Sequence, residues 1–329
     1  MRPVLLAVLV LALAPQAHAA WNFQLGIGEQ QSPMFDDPRF AALGLEHVRV
    51  VTSYDVACRP GQDQVYLDAW LAGAKRTGAR PLVAFSFSTR PGQRWKLPSY
   101  RTYVNCFRAF RERYPQVRDF NPWNEANHSS QPTFRHPKKA AGFYNAMRRV
   151  CPRCTVAAGD LLDWSHLVPW LQRYRAHLRG HPRLWSIHNY LDVNRPRTWR
   201  GSGTRKLLRL TRGRLWITET AGVVVSRRYA KYDEQRAADA TRRMFAFARR
   251  SPRITRLYGY QWQAGCDPYG WDSAWFRSNG SARPAWQVVV QEVARERGLD
   301  KAAVEALAPP LAPVMHDTCR GSSIPARVE

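Results

Sequence analysis

From residue 21 onward, short apolar runs alternate with longer amphipathic ones. Runs of roughly four to eight residues rich in β-branched and aromatic side chains read as strands, and apolar positions three and four apart read as helices. The pattern predicts strands at 23–27, 47–52, 81–87, 117–124, 155–160, 184–189, 215–219 and 255–262. Helices are predicted at 64–77, 100–113, 140–150, 167–178, 233–250 and 285–296. Parallel strands need helical crossovers, and closing a sheet removes its edges. Eight strand–helix alternations in roughly 300 residues therefore predict an α/β protein of the (β/α)8 TIM-barrel type. The rival is an open doubly wound sheet, but Gly26-Ile27-Gly28 lacks the third glycine and the following helix of that fold's phosphate-binding turn.

Both ends of the chain fall outside this alternation. Arg2, the apolar run from Val4 to Ala14 and the small-x-small Ala17-His18-Ala19 form a secretory signal, too short to span a bilayer. Residues 1–19 are thus expected to be removed, 20–307 to form the barrel, and the Pro-rich 308–329 to be an extended tail. The expected product is a secreted monomer, extracellular or wall-associated, with no stable membrane insertion.

Composition refines this picture. A hydrophobic content of 45% and thirteen Trp are enough for a large core. Six cysteines in an exported chain imply up to three disulfides, of open connectivity. Cys151-Pro152-Arg153-Cys154 alternatively suggests a zinc or redox pair, although no second pair completes a tetrahedral site. The net charge is +25, and only seven of the fifty basic residues are Lys. Such charge attracts polyanions. These Arg residues are spread along the helices, however, which favours a solvated basic surface and argues against a nucleic-acid partner.

The candidate chemistry lies in Phe120-Asn121-Pro122-Trp123-Asn124-Glu125-Ala126-Asn127. A carboxylate flanked by amides and a Trp is suited to hold sugar hydroxyls and protonate a leaving oxygen. A second carboxylate ends Leu215-Trp216-Ile217-Thr218-Glu219. Two carboxylates at two strand ends are the equipment for breaking a glycosidic bond. Asp55, Asp160, Asp163 and Asp267, also near strand ends, are further candidates to read a hydroxyl or replace one of the pair. Trp123, Trp164, Trp199, Trp271 and Trp275 offer sugar-binding area or core filling, with Trp123 the one expected to be packed. No His/carboxylate cluster has metal-ligand spacing, so neither metal nor cofactor is expected. Asn127-His128-Ser129 and Asn279-Gly280-Ser281 match the glycosylation sequon.

Asn124-Glu125 after the fourth strand, His188-x-Tyr190 ending the sixth, Thr218-Glu219 ending the seventh and Trp262 on the eighth resemble glycoside hydrolase clan A, in a family 39-like or cellulase-like form. The resemblance implies a retaining O-glycosyl hydrolase with Glu125 as acid/base and Glu219 as nucleophile. It also implies that Asn124 holds the sugar 2-hydroxyl and that His188 and Tyr190 line the pocket, one of them donating to the nucleophile. Arg49 would bond the nucleophile, and Trp262 would lie beneath the cleaved sugar. The Glu125 carboxyl is expected to be raised by neighbouring negative charge and partial burial, so that it can donate a proton. Clan members more often have Pro where Ala126 stands. A barrel that binds carbohydrate without turnover and a basic polyanion binder remain as alternatives.

Overall fold

The computed structural model describes residues 21–308, except 196, 228–229 and 266–269. The expected leader, Asp267, Cys266, Cys319 and the tail from 309 lie outside the described residues.

Nine parallel segments form one sheet: β1 (Gln24–Gly28), β2 (His47–Ser53), β3 (Arg80–Ser86), β4 (Asp119–Asn121), β5 (Thr155–Val156), β6 (Ala158–Leu162), β7 (Leu184–His188), β8 (Arg214–Thr220) and, after the short β9 (Val225–Ser226), β10 (Ile254–Tyr260). Their lateral order is β5-β4-β3-β2-β1-β10-β8-β7-β6. The outermost members, β5 and β6, are two halves of one stretch with Ala157 between them, so the sheet curls until its ends meet in the chain. This is the expected eight-stranded barrel with its fifth strand broken. β9 pairs antiparallel with β11 (Trp271–Asp272), joining the loops that follow β8 and β10.

Helices Gln62–Arg76, Tyr100–Arg113, Pro137–Val150, Leu167–Arg175, Glu234–Ala248 and Pro284–Arg297 surround the barrel near their predicted positions. Four shorter helices, at 38–43, 190–194, 203–210 and 301–307, were not foreseen. Ser99 and Asp233 cap two of the long helices by accepting from Thr102 N and Arg236 N.

Outward strand residues such as Val48, Val50, Phe85, Phe120, Ile187, Ile217 and Leu257 pack under the helices in the main core. Inside the barrel, Leu82, Ala157, Leu184, Trp216 and Tyr258 form an apolar layer. Gly26 makes room for it, because a Cβ there would lie 2.8 Å from the Tyr258 ring. Beneath this plug Arg256 pairs with Asp119 at 2.5 Å and lies over Trp216. Above it the inward side chains turn polar: Arg49, Asn121, Ser186, Thr218 and His188 are all buried. Burying so many polar groups is costly unless each is bonded. The catalytic end of a barrel is the C-terminal end of its strands, where these residues lie.

Three predicted strands end elsewhere. The 117–124 run stays in the sheet only over 119–121, because Pro122 has no N–H to give and its carbonyl instead takes the Tyr103 hydroxyl at 2.6 Å. The 155–160 run breaks at Ala157 and carries a register shift at Gly159/Leu161. The last strand stops at Tyr260, two residues short of Trp262.

Two of the expected disulfides are present. Cys58–Cys106 ties the loop after β2 to helix Tyr100–Arg113, and Cys151–Cys154 closes the turn before β5, which removes the zinc reading of that pair.

Candidate active site

Glu219 sits on β8 beside a register irregularity: Ile187 pairs with Ile217, and the next pair is His188 with Glu219. Alternation alone would send Thr218 and Glu219 to opposite faces. The bulge lets both reach the interior network, which is what bulges do beside functional sites. The Thr218 hydroxyl donates to Asp160 Oδ1 at 2.6 Å. Glu219 receives Tyr190 OH on Oε1 at 2.8 Å and Arg49 Nη1 on Oε2 at 2.5 Å. Both oxygens are therefore held by donors, which fixes the carboxylate's position. Tyr190 is not two residues along a strand from His188 as expected; it begins the short helix Tyr190–Asn194, and its hydroxyl still reaches the carboxylate. Burial and the Glu219 charge push the Tyr190 hydroxyl well above its ordinary range, so it remains a donor.

Glu125 lies beyond β4 in a turn, with φ of 47°, and not at the strand end the sequence predicted. Neighbouring contacts hold this turn. Asn124 N donates to Phe85 O at 2.6 Å, and Ala126 N donates to Asp160 O at 3.3 Å. Both ends of the Asn127 amide bond the backbone of Leu162, at 2.9 and 2.7 Å. Asn127 is thus buried and fully engaged, which excludes it as a glycosylation acceptor in the folded protein. Glu125 is 19% exposed at its side chain against 11% for Glu219, so it is the more open of the two. One oxygen of each carboxylate and a His188 ring nitrogen lie within 4.8 Å of one another. These three groups are close enough to converge on a cation.

Behind the pair lies a buried network that the sequence did not delineate. Asp160, with φ of 61°, accepts from Arg49 Nη2 at 3.0 Å on Oδ2, and its Oδ1 faces His188 Nε2 at 3.3 Å. The other ring nitrogen, Nδ1, is 3.2 Å from Glu125 Oε1 and 3.8 Å from Glu219 Oε2. Arg49 Nη2 also donates to Asn124 Oδ1 at 2.7 Å. Burial pushes the Asp160 carboxyl up, but the His188 and Arg49 charges outweigh it and hold it well below the carboxylate range. Burial pushes His188 down, and the Asp160 and Glu219 charges reverse this, raising it to about 10. For Glu125 too, burial raises the carboxyl, but the hydrogen bond and charge of His188, joined by His128, bring it below its usual value. The expected upward displacement of Glu125 is therefore corrected: the cation beside it was not visible in the sequence.

Of the expected residues, Arg49, Asn124, Glu125, His188, Tyr190 and Glu219 come together. Trp262 does not. It is 1% exposed, its backbone N donates to Glu29 Oε2, and its indole donates to Asp37 Oδ2 at 3.1 Å. Its ring packs among Phe40, Phe276 and Trp286, so it is core and no sugar can reach its face. The aromatic surface near the pair comes instead from Tyr260, Trp164 and Trp271, half-buried against a cluster that includes Tyr190. The Trp164 ring stands edge-on to His128 at 4.7 Å, on the Glu125 side. Trp123 and Trp275 are buried, as are Asp55 and Asp163. Asp163 accepts from the N–H groups of Leu191 and Asp192, holding the loop after β7. The half-buried Trp199 packs tilted against Phe247.

No family model and no curated protein matches the sequence. Solved structures do resemble it. Xylanase 10B from Thermotoga maritima superposes with a TM-score of 0.60 at 10% identity, over 84% of this chain and 96% of that one. GH5_18 from Streptomyces cattleya, in complex with GlcNAc, gives 0.58 at 16% identity, over 85% and 81%. A β-glucosidase from Thermotoga maritima gives 0.53 at 11%, over 85% and 98%. The chain has the barrel fold of these clan A glycoside hydrolases, which are of families 5, 10 and 1; the likeness to family 39 gains no support from them.

Proposed function

We propose that the protein is a secreted glycoside hydrolase that cleaves O-glycosidic bonds of an extracellular polysaccharide or glycoconjugate with retention of configuration. The observation that carries this reading is the Glu125–Glu219 separation. Carboxyl groups about 5–5.5 Å apart suit a double displacement, whereas inversion needs about 6.5–9.5 Å to admit a water. Here the nearest oxygens lie within 4.8 Å. Glu219, oriented by Tyr190 and Arg49, attacks the anomeric carbon from one face. Glu125, the more open carboxyl, meets the leaving oxygen and later activates the water that releases the sugar. With its carbonyl oxygen tied to Arg49, Asn124 keeps its NH2 group to donate to the sugar 2-hydroxyl. Tyr260 and Trp271 take the place expected of Trp262 as the apolar surface beside the ring.

Loss of turnover, with Ala126 as its motive, is the less favoured alternative. Ala126 is buried and accepts the Thr133 hydroxyl at 2.9 Å, so it fits the turn without displacing Glu125. Hydrolysis of an aryl β-glycoside panel tests the reading. Glu219→Gln should lose on the order of 10⁴-fold or more in kcat. Glu125→Ala should stall after the first step on good leaving groups and yield, with azide, a glycosyl azide of unchanged anomeric configuration. Proton NMR showing an inverted first product, or full activity in Glu219→Gln, would end it.

A further inference from the structure

His188 has a carboxylate against each ring nitrogen: Asp160 Oδ1 at Nε2, 3.3 Å away, and Glu125 Oε1 at Nδ1, 3.2 Å away. A neutral imidazole offers one donor and one lone pair. In either neutral tautomer, one nitrogen's lone pair would therefore face a carboxylate, unless that carboxyl carries a proton. Asp160 has little room for one, since its two oxygens already accept from Thr218 and Arg49. Arg49 Nη2 also comes within 3.2 Å of Nε2. Its two hydrogens, however, have shorter contacts with Asn124 Oδ1 at 2.7 Å and Asp160 Oδ2 at 3.0 Å. Nε2 is thus free to donate to Asp160. The charged and titratable groups around the ring and Glu125 are Arg49 on β2, Asp160 on β6, Glu219 on β8, Glu125 after β4 and His128, whose Nδ1 lies 3.7 Å from the other Glu125 oxygen, Oε2. The proton between His188 Nδ1 and Glu125 Oε1 is to be placed on one or the other.

We propose that the resting enzyme stores this proton on His188, with Asp160 as the positioning residue that keeps it there, and that Glu125 receives it from Nδ1 during the reaction. The proposal rests on the glycosidase reading for its chemistry. In the first step the proton moves from His188 Nδ1 to Glu125, and Glu125 protonates the leaving oxygen. The C–O bond breaks as the bond from Glu219 to the anomeric carbon forms. His188 is then neutral and Glu125 a carboxylate. In the second step Glu125 removes a proton from water and returns one to Nδ1, the water oxygen bonds the anomeric carbon, and the ester to Glu219 breaks. One proton leaves the ring and one comes back. Glu125 can then act as acid and base in turn while itself resting as an anion.

The first test needs no substrate. In protein labelled with ¹⁵N-histidine, the His188 signals are those missing from His188→Gln. At pH 8, where an ordinary histidine titrating near about 6.5 is almost wholly neutral, both ring nitrogens should still carry protons. A neutral ring at pH 8, in either tautomer, overturns the proposal even if the enzyme proves to be a glycosidase. Absence of turnover would remove the reaction and leave the stored proton measurable. The second test compares substrates. In Asp160→Asn the alkaline limb of kcat/KM for a poor leaving group should move down by at least one pH unit. That for a dinitrophenyl glycoside, whose departure needs no acid, should stay in place. Equal losses on both substrates would mean that Asp160 is merely structural and would overturn its assigned part.

Discussion

Arg49 and Glu219 stand 170 residues apart in the chain, yet Arg49 Nη1 lies 2.5 Å from Glu219 Oε2 inside the barrel. The same guanidinium reaches Asp160 and Asn124, so one side chain sets the positions of three others. Burial alone would lower its affinity for the proton, but the charges of Asp160 and Glu219 outweigh this, raise it and keep it a cation. Removing one member of such a buried group leaves the others uncompensated. The whole arrangement therefore acts as one unit.

The other donor on Glu219 is easier to isolate. Tyr190→Phe removes a single hydrogen bond to a carboxylate, worth roughly 1.5–3 kcal/mol. If that bond holds the nucleophile in its attacking position, kcat should fall roughly 10- to 100-fold. Wild-type kcat in the variant would show that Arg49 alone is sufficient.

Trp262 and Tyr260 should separate core from site. Trp262→Ala would empty a buried aromatic position and cost roughly 3–5 kcal/mol of stability. Tyr260→Ala, at a half-buried mouth position, should cost less in stability and raise KM. Melting curves and steady-state kinetics of both variants check this. A Trp262 variant with wild-type stability and raised KM would restore the platform that the fold removes.

The two disulfides should differ in effect. The Cys58–Cys106 bridge spans 48 positions and Cys151–Cys154 three. Chain-entropy reasoning gives about 4 kcal/mol for the longer loop and about half that for the shorter. Denaturant unfolding of Cys58→Ala/Cys106→Ala should thus show the larger loss, and the reverse order would mean that loop entropy is not what these bridges supply.

Stability should depend on pH through His188. Its folded value, raised from 6.5 to about 10, contributes stability fully present below pH 6.5 and lost as the pH rises toward 10. The lowered Asp160 acts at the other end: its contribution is present above the ordinary carboxylate range and fades as acid protonates it. The melting temperature should therefore fall between pH 6.5 and 10, by an amount equivalent to a few kcal/mol at most. His188→Gln should flatten that slope. An equally steep slope in the variant would place its origin elsewhere.

Much was legible without coordinates. The alternation of apolar runs and amphipathic helices determined the barrel, because buried parallel strands and their crossovers leave a periodic record in sequence. The same record located Glu125 and Glu219, since carboxylates just after two apolar runs fall at the C-terminal mouth in this topology. Other features only the tertiary structure decided. Strand alternation could not show the β8 bulge that brings Thr218 and Glu219 to one network, or Asp160 in its φ of 61°. It placed Trp262 on a strand that stops at Tyr260, and the indole turned to Asp37 and the Phe40–Trp286 core. Nor could it set the protonation of Glu125, because that depends on His188, 63 residues away, and on Asp160 behind it. Local pattern records which face a residue prefers; charge, proton and ring position depend on distances between strands that no local pattern contains.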